Sequence, residues 1–433
     1  MPFETATCAP RTVAVIGAGI SGMGAAHMLA RDHRVVLFEA EPQLGGHART
    51  RMGGVRRDQP VDTGFIVFNY ANYPHLAALF AELDVPVVPS NMSFGASIGG
   101  GRLEYALASV DAIFAQKWRL ADPRFVRMIR DILHFNSNAV AEAEATPGLT
   151  IGGLLERLGT GRYFRDYYLA PLSGAIWSTP TDKIMEFPAY AMVNFFNNHA
   201  LLNFTGQHQW YTVEGGSQTY VGRLGTAMEA RGVDLRLGAP VQAVRRGPLG
   251  VEVRAWGGEW EMFDEVVFAT HSDDTLRLLA DATAHERAVL GKLRYQPNKV
   301  VLHSDTSVMP KRRKVWSSWV YTEEQGKTSD KIDLTYWMNN LQPWLKEDPL
   351  FVTLNTQRPI LEDLIWDEVT LHHPVYDMDA LAAQAEAQAM NGSSRTWFCG
   401  AWMKNGFHED GLSSAVDVVG ALNAVERLEM AAE

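Results

Sequence analysis

Gly17, Gly19 and Gly22 stand in the order G-x-G-x-x-G within VAVIGAGISGMGAAHMLARDHRVVLFEA, from Val13 to Ala40. Glycines at this spacing bind phosphate. Gly17 permits a tight turn, Gly19 lets the backbone approach a pyrophosphate, and Gly22 lets a helix pack closely on the preceding strand. The phosphates sit at the helix N-terminus, beside Ile20 and Ser21, where free N–H groups and the dipole favour anions. Glu39, followed by Ala40, lies about 20 residues on, the usual place for a carboxylate that holds a ribose hydroxyl. NAD(P) and FAD are both held by this device, and the motif alone does not choose between them. No second G-x-G-x-x-G follows a strand and opens a helix. One dinucleotide site is therefore encoded.

A second set of reactive groups precedes the last helix: His408, Glu409 and Asp410. A neutral imidazole and a carboxylate both accept protons near neutral pH. Asp410 has a competing task as the helix N-cap, with Ser413 and Ser414 completing the first turn. Glu409 and His408 need cap nothing and are the better proton acceptors. On a strand, Lys299, Val301 and His303 share one face. That face is either solvated or turned into a pocket, which would bring in His303. No Ser-His-Asp or metal-ligand arrangement stands out, and His372 and His373 read as structural. FPAYAMVNFFNNHALLNF, Phe187 to Phe204, is rich in apolar and aromatic groups. It suits an apolar tunnel or, for most of its residues, a helix pair facing the core.

The elements that position these groups are legible in outline. Thr12 to Ile16 is a buried strand, Ile20 to Arg31 a helix, and Arg34 to Phe38 a second strand. Residues 91 to 105 form a hairpin turning at Gly99 to Gly101. Residues 106 to 208 are mainly helical, broken at Pro123, Pro171, Pro180 and Pro188. A helix and a β-rich stretch lead to FDEVVFAT, Phe263 to Thr270. Between 299 and 357, KVVLHSD, KVWSSWVYT, KIDLTYWMNN and LFVTLNTQ alternate as strands of an antiparallel sheet with one buried face. RTWFCGAW, a glycine-containing loop and a helix from Leu412 to about Met430 close the pattern.

The chain has 433 residues, a net charge of -11, 46% hydrophobic and 21% charged residues. Such a composition builds a large core and argues against nucleic-acid binding. Cys8 and Cys399 are the only cysteines, and without a CxxC neither a redox disulfide nor a zinc cluster is indicated. No apolar run is long enough for a membrane span, so a cytoplasmic enzyme is expected.

Taken together, the segments resemble one superfamily over essentially the full chain: flavin-containing amine oxidases, with phytoene desaturases and protoporphyrinogen oxidases. VIGAGISG, Glu39, LGGHART, EGGSQTYV, GAPVQAVRR, DEVVFAT and FCGAWMKNGFHEDGLSSAVDVVG carry the resemblance by their order and spacing. It implies FAD. It also implies an α/β fold: a Rossmann-like FAD domain of the glutathione-reductase type with an α+β substrate domain that contains an antiparallel sheet and a helical subdomain. The FAD domain would take residues 1-90, 210-275 and 395-433, and the substrate domain 91-209 and 276-394. By the same likeness Gly45 and Gly46 approach the phosphates or ring, with His47 beside them, and Arg49 neutralises a phosphate. Thr63, Gly64, Ala269 and Gly400 join the cofactor site. Val241 presents backbone groups to the adenine. Asp410, Gly411 and Leu412 open a helix whose N–H groups face the flavin pyrimidine edge. Trp402 lies by the flavin or packs in the core. Lys299 falls near the place where such amine oxidases carry a lysine that holds water at flavin N5, with Asn298 competing for that spot. The acidic residue common after the family's C-terminal Ala-Gly is missing from CGAW.

VDTGFIVFN and GFHEDGL resemble a bacterial branch found beside methyltransferases related to cyclopropane-fatty-acid synthase. That likeness implies desaturation of a methylated unsaturated fatty acyl chain. A flavin amine oxidase and a non-catalytic flavoprotein partner of a lipid methyltransferase are the alternatives. Contact with a membrane surface follows as an expectation. After Asp122 and Pro123, residues Phe125, Met128, Ile129, Ile132 and Phe135 fall on one helical face, and Arg124, Arg127, Arg130 and His134 on the other. Lys117, Trp118 and Arg119 stand just upstream. A second basic run spans Lys311 to Lys314, ahead of Trp316. The helix either docks or buries its apolar face in the protein, and the lysine run either docks or is a solvated turn.

Overall fold

A computed structural model describes residues 10–146, 148–177, 183–203, 206–325 and 331–432. Cys8, Pro180 and Phe204 lie outside them. A five-stranded parallel sheet holds, in order, Thr396–Phe398, Glu265–Phe268, Thr12–Ile16, Arg34–Phe38 and Asp234–Arg236. Its strands are apolar because both faces are covered. Ile20–Leu29 lies on one face with the C-terminal helix His408–Ala432 packed along it. The other face meets a three-stranded antiparallel sheet, Val241–Gly247, Gly250–Ala255 and Trp260–Phe263.

A larger sheet of seven strands runs Ile365–Val375, Arg294–His303, Phe351–Leu354, Leu334–Trp337, Trp319–Glu323, Phe94–Ile98 and Leu103–Ala106. The hairpin of the last two turns at Gly99 to Gly101, all at positive φ, where glycine carries no steric penalty. The strands between residues 299 and 357 pair antiparallel with one another, as expected, and the sheet extends beyond them through a parallel pairing. Trp319–Glu323 pairs parallel with Phe94–Ile98, because these strands come from distant parts of the chain and no hairpin sets their direction. Ile365–Val375, not anticipated, is an outer strand with little burial, and alternation of type is weak there.

Helices between residues 110 and 198 cover this sheet. The longest, Pro123–Ala145, starts as expected: proline at its first turn and the Asp122 carboxylate accepting the Arg124 N–H at 3.1 Å. Phe125, Met128, Ile132 and Phe135 are buried with Phe195 and Phe196 of Ala189–Asn198 in one core. The helix therefore buries its apolar face in the protein. No helix among the described residues is long and apolar enough to cross a membrane.

Candidate functional site

The first glycine turn is held by its own backbone. Gly17 has φ +96°, and its N–H donates to the Phe38 carbonyl at 2.8 Å. A methyl group on Gly22 would stand 1.8 Å from the Gly17 carbonyl oxygen, and one on Gly17 would meet the Ala269 carbonyl at 3.0 Å. Strand, turn and helix are thus locked together, with Ala269 seating the turn. Gly45 donates to the Ala18 carbonyl at 2.9 Å, and a methyl group on Gly46 would reach Gly19 at 3.0 Å. The LGGHART loop is therefore laid against the turn.

Gly19 differs from its neighbours: no atom lies within 4 Å of where its Cβ would be. It is the N-cap of Ile20–Leu29 and offers no side-chain cap. The first N–H groups of that helix have no intrahelical acceptor. Gly411, in the first turn of the C-terminal helix, sits so close that a methyl group there would meet Ile20 and Ser21 at 2.9 Å. Leu412 packs onto Gly24. Two helix N-termini therefore converge on one place, and their positive ends add. Glu39 accepts the Ala18 N–H at 2.6 Å on one oxygen and the Glu41 N–H at 2.9 Å on the other. Each oxygen keeps a second lone pair for a ribose hydroxyl. These residues fit a dinucleotide. Ala40 is exposed beside Glu39, and Val241 opens its strand at a bulge. Gly400 donates its N–H to Ser414 at 2.8 Å, which fixes the turn into the C-terminal helix.

Arg49 does not stand free to neutralise a phosphate. It holds Asp367 by two bonds, of 2.5 and 3.0 Å, and also donates to Thr63 at 3.0 Å. Its charge is matched inside the protein. The Thr63 hydroxyl is spent on Arg49, and Gly64 serves the loop: a methyl group there would meet the His47 carbonyl at 2.0 Å.

The expected proton acceptors are also redistributed. Glu409 accepts the His75 and Leu76 N–H groups at 2.9 Å each, capping Pro74–Glu82 from outside. It is therefore not a free base. Asp410 accepts the Phe407 N–H at 2.9 Å, within the first turn and not at its cap, because the helix starts at His408. Lys299 is exposed and paired with Glu368 at 3.0 Å. His303 does not share the exposure of Lys299, and the register of its strand shifts between Leu302 and His303. It is buried against Phe351 and bonded to Thr353 at 2.7 Å. Trp402 belongs to the core under the parallel sheet and donates to the Thr270 carbonyl at 3.1 Å.

What converges near the turn is a group of histidines. The His47 ring lies 5.9 Å from that of His271 and 5.8 Å from that of His373. His373 shares a 3.2 Å hydrogen bond with Asn298, which is buried where its neighbour Lys299 is exposed. His271 stacks on Tyr295 at 4.3 Å. His408 stacks on Phe65 at 3.9 Å and meets the Tyr220 hydroxyl at 2.5 Å. Burial holds all four imidazoles neutral: His47 and His271 fall to about 4, His373 and His408 to about 3. The His47 Nε2 is buried with no partner among the described residues. His373, read as structural from the sequence, is brought in by register across a sheet, and His271 by the turn after Glu265–Phe268; neither belongs to a local motif.

Stability should report these histidines. Their folded pKa values lie below the unfolded value of about 6.5, so the unfolded chain binds more protons as pH falls. Their contribution is present above about 6.5 and is lost as pH drops toward about 4. Asp62 and Asp410, raised to about 6 by burial, act in the opposite sense. The histidine part is read as a difference: His373→Asn, which keeps an acceptor for Asn298, should lose less melting temperature than wild type between pH 6.5 and pH 4. Parallel curves would contradict this.

Residues 20–343 match the pattern of the Flavin containing amine oxidoreductase family. The chain belongs to this family. It is similar to an L-amino-acid oxidase of Sistrurus catenatus edwardsii, 47% identical over 47 residues; that stretch is 11% of this chain and spans only 9% of the relative's length. Among solved structures it resembles a CLA-producing fatty acid isomerase from P. acnes, with TM-score 0.68 and 14% identity over 95% of this chain and 98% of that one. It also resembles a redesigned putrescine oxidase, with TM-score 0.69 and 16% identity over 96% of this chain and 99% of that one. The family makes the cofactor a flavin, the dinucleotide cradle takes it as FAD, and the protein is a flavin oxidoreductase.

Proposed function

We propose that the protein dehydrogenates an apolar substrate, a fatty acyl chain of a lipid, with His47 taking the proton. Bound FAD supplies the two-electron sink for hydride. Hydride and proton leave neighbouring carbons, and a double bond remains. The observation that carries this reading is the wall of buried, neutral imidazoles beside the glycine turn. Four carboxylates around it are satisfied by the chain itself: Glu409 and Asp410 by backbone N–H groups, Asp62 by Thr50, Ser217 and Gln342, Asp367 by Arg49. An alkylammonium would find Asp62, Asp367, Glu409 and Asp410 already engaged, and the carboxylates beside His271, Asp273 and Asp274, lie toward solvent, whereas an acyl chain strands no charge. Phe195, stacked on Phe407 at 4.7 Å and beside Trp177, extends the wall into the helical region with aromatic groups. His47 is placed by the cradle loop itself, and its free Nε2 has the neutral form that accepts a proton.

Mixing the yellow protein anaerobically with vesicles of unsaturated or methyl-branched phospholipid should bleach the flavin band. Putrescine, benzylamine and NADPH alone should leave it. Bleaching by the amines and not by lipid would overturn the reading in favour of amine oxidation. Bleaching by nothing offered would favour a flavoprotein that assists another enzyme, such as a lipid methyltransferase.

A further inference from the structure

The lysine run expected to dock is occupied. Lys311 donates its ammonium to the Gly100 carbonyl, Arg312 pairs with Glu104, Arg313 lies over Trp316 and Lys314 pairs with Asp111. The outer face of Pro123–Ala145 is different. Trp118 and Leu120, on the turn that leads into it, are 58% and 60% exposed, and Val126 and Leu133 are each 48% exposed. Val126 and Leu133 are seven residues apart, so they stand on one side about 10 Å from each other. Arg130 lies between them, and Lys117 beside Trp118. Neither cation has a carboxylate within ion-pair distance among the described residues. Arg124 and Arg127 flank the patch; their partners Asp122 and Asp131 are buried, so the positive charge faces out. The far half of the helix carries acidic groups instead: Glu144 is exposed, and Glu142 pairs with Arg157.

We propose that this N-terminal half, with its leading turn, is the surface by which the protein docks on an anionic lipid bilayer. Exposed apolar side chains interleaved with unpaired cations match an interface of acidic headgroups over acyl chains. They match little else on a chain with net charge -11. The general repulsion of such a chain is screened beyond about 8 Å at physiological salt, so contact charges decide. The inner face of the same helix packs on Ala189–Asn198, whose Phe195 meets Phe407 just before the C-terminal helix. Docking thus puts the bilayer about one helix diameter, roughly 10 Å, from the aromatic wall. The proposal concerns where the protein rests, and it survives if the reaction proves to be a different one.

The test is co-sedimentation of the FAD-loaded protein with phosphatidylglycerol–phosphatidylcholine vesicles and with phosphatidylcholine alone. Wild type should sediment with the first and remain free of the second. Lys117→Glu with Arg130→Glu breaks no internal pair and should lower partition at least about tenfold. Trp118→Ser with Leu120→Ser should also lower it, and more of the remaining binding should then be removed by salt. Lys346→Glu, an exposed charge elsewhere, should change little. Undiminished binding by the Lys117/Arg130 variant overturns the proposal. So does failure of wild type to bind the acidic vesicles, which would assign the patch to an acidic protein partner.

Discussion

Gly22→Ala gives a colourless protein. The added methyl group would lie 1.8 Å from the Gly17 carbonyl oxygen, with Ala269 behind it at 3.1 Å. Backbone is what blocks it, so no side chain can swing away. Strand and helix must part, at a cost of about 3 kcal/mol or more. Gly19→Ala separates cradle from cofactor. Its φ of -73° and ψ of -178° suit alanine, and nothing of the protein lies within 4 Å. The Gly19 variant should fold with the apoprotein melting temperature unchanged, yet hold FAD at least about tenfold more weakly, because its methyl occupies the approach to the helix N–H groups. Differential scanning calorimetry of apoprotein with FAD titration reads both. Equal FAD affinity in Gly19→Ala and wild type would refute this account of the cradle.

The second large effect distinguishes the acid from the imidazole. His47→Gln removes the unpartnered Nε2 and preserves the loop backbone, so flavin reduction by substrate should fall about 10²- to 10⁴-fold. FAD content and melting temperature should stay near wild type. Glu409→Ala should do the reverse. It strands two N–H groups at the start of Pro74–Glu82, a loss of about 2 to 4 kcal/mol, while turnover per bound flavin persists. If instead Glu409→Ala abolishes turnover in folded, yellow protein and His47→Gln does not, the proton goes to the carboxylate.

The parts legible in sequence are those fixed by neighbours along the chain. The strand, glycine turn, helix and Glu39 lie within 28 residues, and each demands a specific type there. The hairpin at Gly99 to Gly101 and the Asp122–Pro123 helix start are local for the same reason. The reactive wall is not local. Arg49 meets Asp367 across 318 residues, and Glu409 meets Leu76 across 333. Spacing cannot tell a carboxylate awaiting a proton from one that caps a distant helix. Along Arg294–His303 the choice between Asn298 and Lys299 is a shift of one residue, and in a strand one residue exchanges the two faces. His373 comes opposite Gln296 through pairing alone.

The order of strands in the parallel sheet sets a timetable. Thr12–Ile16 is central and is made first; its neighbour Glu265–Phe268 and then the edge strand Thr396–Phe398 complete that side. The helix that packs on Ile20–Leu29 follows later still. At about 5–20 residues per second of synthesis, the glycine turn waits roughly 20 to 80 s for these partners. Through that interval the nascent chain displays an unfinished sheet edge and half of a converging pair of helix ends. Loading of flavin therefore waits until the edge strand and the C-terminal helix have been made, and a message cut short before the edge strand yields a chain that never becomes yellow.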